Sequence, residues 1–431
     1  MKDLFKKIVV SIITFEAQVL LKRHKPIIIA VTGNVGKTSM KDAIYSVLKR
    51  HVSARKSEKS FNSDIGVPLT VLGLPNGWSN PFIWLKNIFD GFYLAFLSKE
   101  YPAYLILETG VDRPGDMKKL ASWIKPDMVV LTRFPDVPVH VEFFSGPEAV
   151  IEEKMVLVEA LKPEGVVIYN HDDQIIQSQL ANIRQQTIGY SRYLATQFTA
   201  SKDEIYYHDD APVGVSFTVS HLGQSQAVKA SGAIGTQLVY TYTGAIAVAM
   251  QCGISMQDAA TALEEHLPPP GRMRIIKGLK GTTIIDDTYN SSPIAVEQAL
   301  MTMKEIRYAK RKIAILGDML ELGRFSAREH ERVGELASQC VDVLFTLGIR
   351  SQRTAQSALS HGLDEAQIFQ YDEVERAGKE LQNFLKPGDV VLVKGSQGVR
   401  AERVVEEVMQ EPERAGELLV RQDRTWTAKS I

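Results

Sequence analysis

The chain has 431 residues, too many for one ordinary domain, so two or three are expected. Hydrophobic residues make up 45% and charged ones 23%, as in soluble globular proteins, and a formal net charge of −1 excludes the broad basic footprint of a nucleic-acid binder. Two cysteines, Cys252 and Cys340, stand far apart with no Cys/His neighbours at ligand spacing, which excludes a disulfide framework and a zinc site and predicts a reducing, cytoplasmic setting.

Residues 1–24, "MKDLFKKIVVSIITFEAQVLLKRH", carry an apolar run, Ile8–Phe15, that Glu16, Gln18 and Lys22 interrupt well short of the ~20 apolar residues a membrane span needs. No small-residue cleavage site follows it. The segment reads as an amphipathic helix with basic ends, which either packs on the body of the protein or makes a weak contact with a membrane surface.

"PIIIAVTG" is then a β-branched strand that breaks at glycine, and "KTSMKDAIYSVLKR" has helical periodicity. Between them, "TGNVGKTS" (Thr32, Gly33, Asn34, Val35, Gly36, Lys37, Thr38, Ser39) has the composition of a phosphate-binding loop, with Val31 where a full Walker A pattern has its first glycine. Backbone N–H groups around Gly33–Gly36 at the head of a helix can cradle phosphate oxygens; Lys37 would neutralise them and Thr38 would offer a hydroxyl to Mg²⁺. A strand–turn–helix that merely uses glycine is the plainer alternative.

The segment "NPFIWLKNIFDGFYLAFLSKEYPAY" is dense in aromatics and reads either as a core helix or hairpin with its surface loops, or as an exposed aromatic face. Strands in "AYLILETG", "DMVVLTRF" and "GVVIYN" alternate with helical stretches, which implies a parallel sheet covered on both faces. From about Gln186 to Val228 short alternating runs suggest antiparallel strands appended to it. "HLPPPGRM" ends a helix with a stiff connector, so a boundary falls there. The expected organisation is α/β throughout: a P-loop domain with a mainly parallel sheet over 25–267, a hinge at 268–272, and a Rossmann-like α/β domain over 273–431. The tail from Glu411 reads as a surface helix and a loose end.

Glu108 in "LETG" falls at the carboxyl end of a strand, the edge where open α/β sheets bind ligands. His140 lies beyond another strand and Lys154 follows in a helix; singly, these are a loop residue and a solvated charge. The ordered series "TGNVGKTS", "SFNSDIGVPLT", "LETGVDRPGDM", "VHVEFFSGPEAVIEEK", "PPPGRM", "IIDDTYNSSP", "LGDMLELG" and "VLVKGSQGVRAERVV" resembles the Mur ligases, ATP-dependent enzymes of peptidoglycan precursor synthesis. Within them it is most similar to the type that joins D-alanyl-D-alanine to UDP-muramoyl tripeptide.

The resemblance implies the following roles. Lys37 and Thr38 hold ATP phosphates and a first Mg²⁺, with Glu108 as a further metal ligand. His140 helps bind a second Mg²⁺, and Lys154 takes up CO₂ as a carbamate. Arg272 reaches the γ-phosphate, and Asp287 and Asn290 contact the nucleoside. Asn62 lies beside the muramoyl substrate, and Lys394, Ser396 and Arg400 lie near the dipeptide. A monomer is expected. The sequence departs from the family in two respects. Only some 25 residues precede the first strand, where the family carries a domain that grips UDP; the N-terminal helix and the Phe82–Phe96 segment are candidates for part of that work. Gln237 and Thr241 stand where the family often has histidine and asparagine. Rival readings are a Mur-like ligase with another acceptor, a P-loop NTPase, and a non-catalytic partner that keeps the fold.

Overall fold

The computed structural model describes residues 2–423 and Trp426, apart from Lys59, Ser79 and Asn182, with side chains from Lys6 onward. Two sheets organise it. The first comprises β1 (Ile27–Thr32), β2 (Ala54–Lys56), β3 (Tyr104–Glu108), β4 (Met128–Leu131), β5 (Val166–Asn170), β6 (Gln186–Ser191), β7 (Phe198–His208), β8 (Ala211–His221) and β9 (Gln224–Ser231), in the order β2-β3-β1-β4-β5-β6-β7-β8-β9. Pairing is parallel from β2 to β7 and antiparallel from β7 to β9, so the antiparallel extension begins later than expected: β6, which starts at Gln186, still pairs parallel on both sides.

β1 reads Ile-Ile-Ile-Ala-Val-Thr and is buried on both faces, as a central parallel strand must be. Helix α2 (Lys37–Leu48) and the helix Thr236–Gln251 cover one face, where Met40, Ile44 and Val47 meet Ile29, Val31 and Ile246. On the other face lie α1 (Lys2–His24) and the short α3 (Gly66–Leu72), whose Ile13, Ala17, Leu20, Leu69 and Leu72 pack with Ile28, Leu105 and Leu107. The N-terminal helix thus packs on the body through one stripe. Helix α4 (Pro81–Phe96), begun by an Asn80 cap that accepts from the Phe82 and Ile83 N–H groups, lies beside α1. Only Trp84, Asn87, Gly91 and Ala95 of α4 are buried, so the aromatic segment is a helix with its aromatics largely outside the core.

The second sheet comprises β10 (Arg274–Lys277), β11 (Thr283–Asp287), β12 (Arg311–Gly317), β13 (Val343–Leu347), β14 (Ile368–Tyr371) and β15 (Asp389–Lys394), in the order β10-β11-β15-β12-β13-β14. All neighbours are parallel except β10 and β11. One apolar cluster runs from Val129 and Leu131 of the first sheet through Ile234 and Met273 to Ile285 and Leu316 of the second.

The proline-rich connector is pinned to the second sheet. Gly271, at φ 70°, donates its N–H to Asp286 Oδ2 at 3.0 Å, and its carbonyl accepts from the Tyr289 N–H at 3.2 Å. A Cβ on Gly271 would stand 2.8 Å from the Tyr289 nitrogen, so both backbone freedom and space require glycine there. Up to Asp423 the tail is held to the second unit; the loose end expected beyond it falls on residues 424–425 and 427–431, outside the described residues. Leu419 is buried in the C-terminal core, and Arg421 donates to Glu402 Oε2 at 2.7 Å and to the Thr288 carbonyl at 3.1 Å.

His266, just before the connector, is buried against Ser46 of α2, with Nδ1 2.8 Å from Oγ. Burial holds its pKa down to about 4 from an ordinary 6.5. A base whose pKa is depressed on folding contributes stability that is complete above the unfolded value; that contribution is lost as pH falls from 6.5 towards 4. Thermal melts of wild type and His266→Gln at about pH 7 and about pH 5 check this: the variant's acid-side loss of melting temperature is the smaller.

Candidate active site

Parallel pairing sends β1, β3 and β4 to the same edge of the first sheet, and β11 and β15 end together at Asp287 and Lys394. A cavity of about 950 Å³ lies between these two carboxyl edges, lined from one side by Asn34–Ser39, Asn62, Glu108 and His140 and from the other by Arg272, Asp287, Asn290 and Lys394. This is where open α/β sheets bind ligands, here doubled.

The loop turns at Gly33 (φ 142°) and Gly36 (φ 85°), which delivers Lys37 as the first residue of α2. Gly33 passes so close to β4 that a Cβ there would lie 2.0 Å from Thr132 Oγ1. Thr32 ends the strand behind the cavity, its carbonyl accepting from the Thr132 N–H at 3.0 Å. Asn34 donates its N–H to the Arg133 carbonyl at 2.8 Å, while both polar atoms of its buried side chain lack a hydrogen-bond partner. Lys37 Nζ folds back onto the Gly33 carbonyl at 2.9 Å. Its pKa is lowered, first by burial and further by Arg272, with Glu108 opposing. Thr38 Oγ1 lies 2.9 Å from Ser60 Oγ and accepts from Arg272 Nη2 at 3.2 Å, and Ser39 lines the wall beside it.

Glu108 is 2% exposed. Its Oε1 accepts from Asn62 Nδ2 at 3.3 Å; its Oε2 has no hydrogen bond and stands 3.9 Å from Lys41 Nζ. Lys41, fully buried, donates to the Ser57 carbonyl and hydroxyl at 3.0 and 3.1 Å. His140 sits in the left-handed region (φ 68°), Nδ1 2.8 Å from Glu321 Oε2 and Nε2 3.5 Å from Asp112 Oδ1. Lys154 is 2% exposed in the helix Pro147–Glu159 and does not line the cavity surface. It is not a solvated charge: burial above all, with Lys37 adding, pushes its pKa well below the usual lysine range against Asp112 and Glu153.

From the second unit, Arg272 stacks on Tyr289 (Cζ to ring centre 3.9 Å), and its buried Nε has no hydrogen-bond partner. Asp287 accepts from the Met273 N–H at 3.2 Å and from Lys394 Nζ at 2.5 Å. Lys394 also donates to the Asn290 carbonyl at 3.0 Å, so β11, β15 and the connector are locked together. Ser396 and Arg400 lie behind the cavity surface. Ser396 Oγ accepts from the Leu320 N–H at 2.9 Å, and Arg400 is held by Glu402 at 2.6 Å and the Trp426 carbonyl at 3.2 Å. Gln237 and Thr241 line the cavity on the helix Thr236–Gln251, Gln237 bonded to Gln298.

Sequence reasoning missed Glu321, Asp112, Tyr289 and the tail residues Arg421 and Trp426, all of which line the cavity. Glu321 lies inside the quoted "GDMLELG" and Tyr289 inside "DDTYN", but only the fold shows that they face the first unit. Of the Phe82–Phe96 segment nothing lines the cavity; Asn76 and Trp78, just before it, do. Among the described residues no three His, Cys, Asp or Glu side chains stand together as a metal cage. Mg²⁺ needs none, since it binds through one or two carboxylates plus phosphates and waters, and Glu108, whose Oε2 makes no hydrogen bond and which lines the same cavity as Thr38, fits that mode.

Gly33→Ala tests the loop: the methyl meets Thr132 Oγ1, and denaturant titration is expected to show a loss of about 2 kcal/mol or more, with weakened nucleotide binding by calorimetry.

Fold and cavity together define a two-unit α/β enzyme that handles phosphate between its halves. Family models match at residues 91–249, the Mur ligase middle domain, and 271–397, the Mur ligase glutamate ligase domain. The UDP-N-acetylmuramoyl-tripeptide–D-alanyl-D-alanine ligase of Bacillus subtilis is 28% identical over 388 residues, covering 89% of this chain and 76% of its own length. The enzyme of the same name from Mycobacterium leprae is 28% identical, covering 86% and 71%. The crystal structure of the MurF ligase from Thermotoga maritima in complex with ADP superimposes with a TM-score of 0.75 at 24% identity, over 94% of this chain and 84% of that one. The chain belongs to the Mur ligase family.

Proposed function

We infer that the protein is an ATP- and Mg²⁺-dependent carboxylate–amine ligase of peptidoglycan precursor synthesis, joining D-alanyl-D-alanine to UDP-N-acetylmuramoyl-tripeptide, as the relatives' names state for them. It acts as a cytoplasmic monomer. The observation that carries the reading is Arg272 of the second unit meeting Thr38 of the phosphate-binding loop, in a cavity that also holds the buried Glu108.

A carboxylate does not react with an amine at neutral pH, because its leaving group would be oxide. Transfer of the γ-phosphoryl group from ATP to the substrate carboxylate releases ADP and gives an acyl phosphate. The dipeptide amine attacks it, and the tetrahedral intermediate collapses to the amide and phosphate. The first step presses two anions together, so its barrier falls with neutralising charge placed in advance. In this proposal the loop N–H groups from Val35 to Ser39 and Lys37 bind the β- and γ-phosphates, and Arg272, stacked on Tyr289, lies over the transferred group. Thr38 and Glu108 would hold Mg²⁺, which supplies further positive charge on the phosphates when bound. Asp287 and Asn290 contact the nucleoside, Asn62 the muramoyl substrate, and Lys394 lies near the dipeptide; Ser396 and Arg400 support that wall from behind.

Lys154 fits the carbamate role in its own chemistry. Burial favours its neutral amine, the form that adds to CO₂, and the carbamate, formed with loss of a proton, puts a negative charge within the field of Lys37. With His140 it would hold a second Mg²⁺. The hinge at 268–272 separates a P-loop domain from the C-terminal α/β domain and carries Arg272 onto ATP.

Incubation with ATP, Mg²⁺, UDP-muramoyl tripeptide and D-alanyl-D-alanine is expected to yield pentapeptide and phosphate in equal amounts, read by mass spectrometry and phosphate assay. Phosphate release that needs neither substrate overturns the reading in favour of an NTPase. Lys37→Met and Arg272→Ala are each expected to lower turnover on the order of 10²–10³-fold. With ¹³C-bicarbonate, a carbamate resonance present in the wild type and absent in Lys154→Ala identifies the modified lysine.

A further inference from the structure

Helix α4 has the polarity of a surface helix reversed. Phe82, Leu85, Phe89, Phe92, Tyr93 and Phe96 recur at helical spacing along its outer face, Phe82 80% and Phe89 67% exposed. Its inner face is narrow: Gly91 lies against the Glu16 carboxylate of α1, and Ala95 offers its carbonyl to Arg23 Nη1 at 3.2 Å. These two contacts run in the same order along both helices, so α1 and α4 lie side by side and parallel. Exposed Ile8 (50%) and Phe15 (57%) of α1 extend the apolar face. The proposed ligase chemistry uses none of these residues.

Charge says what covers this face. Over residues 6–25 and 81–100 the exposed cations are Lys6, Lys7, Lys22, Arg23, Lys25, Lys86 and Lys99, whereas the acidic groups outside the core are Asp90, paired with Lys86 at 2.6 Å, and Glu100. Seven cations against two carboxylates stand out in a chain whose net charge is −1. Lys6 and Lys7 lie near the start of α1, Lys22, Arg23 and Lys25 at its end, and Lys99 just beyond α4, so the basic groups flank the aromatic face. Aromatic and aliphatic side chains bordered by lysine and arginine match the boundary between acyl chains and anionic head groups. Among the described residues no helix is long and apolar enough to cross a membrane.

We propose that α1 and α4 form a docking surface for an anionic lipid bilayer, on which the protein lies peripherally with the α4 aromatics inserted at the head-group boundary. Trp78, which lines the cavity and leads into α4, ties the rim of the cavity to this surface. The proposal is independent of the ligase reading.

Vesicle co-sedimentation of the full chain tests it. Binding is expected to vesicles of phosphatidylglycerol mixed into phosphatidylcholine, on the order of tenfold weaker to phosphatidylcholine alone, and to fall with added salt. Phe89→Ser with Phe92→Ser, and separately Lys6→Glu with Lys7→Glu, are each expected to weaken it on the order of tenfold. Circular dichroism and phosphate turnover in solution serve as fold controls for both. A Phe89→Trp reporter, which keeps the face apolar, is expected to shift to the blue and to be quenched by brominated acyl chains. No binding, or equal binding to both vesicle types, overturns the proposal. So does a dimer in solution that Phe89→Ser dissociates, which would assign the face to a second copy of the chain.

Discussion

The contact on which the site depends is Arg272 Nη2 to Thr38 Oγ1, because it joins the two halves at the point where phosphate would sit. The arginine is held at both ends. Its plane rests on Tyr289, and the residues on either side of it are fixed to the second sheet, Gly271 through Asp286 and Met273 through Asp287. Asp287 is in turn fixed by Lys394, its register partner on β15. Placement of one guanidinium therefore draws on the order of strands in a sheet built from residues more than a hundred positions away.

Much of this was legible in sequence, for reasons that differ by residue. The phosphate-binding loop is local: strand, glycines, lysine and helix follow one another, so spacing alone carries the chemistry. The parallel sheet followed from buried β-branched runs, and the antiparallel extension from the loss of helical period, though that loss, near Gln186, comes one strand before the pairing turns antiparallel. Lys154 could not be read singly, because a lysine flanked by glutamates on a helix looks solvated, and its burial comes from packing against segments far off in sequence. Glu321 was hidden for the same reason, since its partner His140 belongs to the other half. The tail misled by composition. Charged residues after Glu411 suggested that this stretch was loose, yet as far as Arg421 it is held, because Arg421 finds Glu402 and a paired arginine can be buried where a lone one cannot. The proline-rich boundary was plain, but not that Gly271 would be bound so tightly to one side of it.

A cavity lined by charge must balance it. Lys37, half-buried in the cavity wall, has its pKa lowered by burial and by the charge of Arg272; Glu108 opposes this with one carboxylate, whose Oε2 makes no hydrogen bond. Asn34 and Arg272 Nε likewise present buried polar atoms without hydrogen bonds. Such groups are expensive in a closed protein and are found where a ligand completes them. A bound polyphosphate would supply both the acceptors and the negative charge.

The same imbalance bears on motion. Bringing the second unit onto the first adds Arg272 to a site that already holds Lys37, so closure alone raises the electrostatic cost. It also makes contacts across the boundary, the close His140–Glu321 contact among them, which holds the glutamate's pKa down. A ligand can shift such an equilibrium only by the difference in its affinity for the two arrangements. Under the proposed function, a triphosphate would gain Arg272 only with the halves together, so it would bind the closed arrangement more tightly and draw the equilibrium to it. The second unit would then arrive when there is a phosphoryl group to transfer. Water would be excluded at the moment when an acyl phosphate would otherwise be hydrolysed.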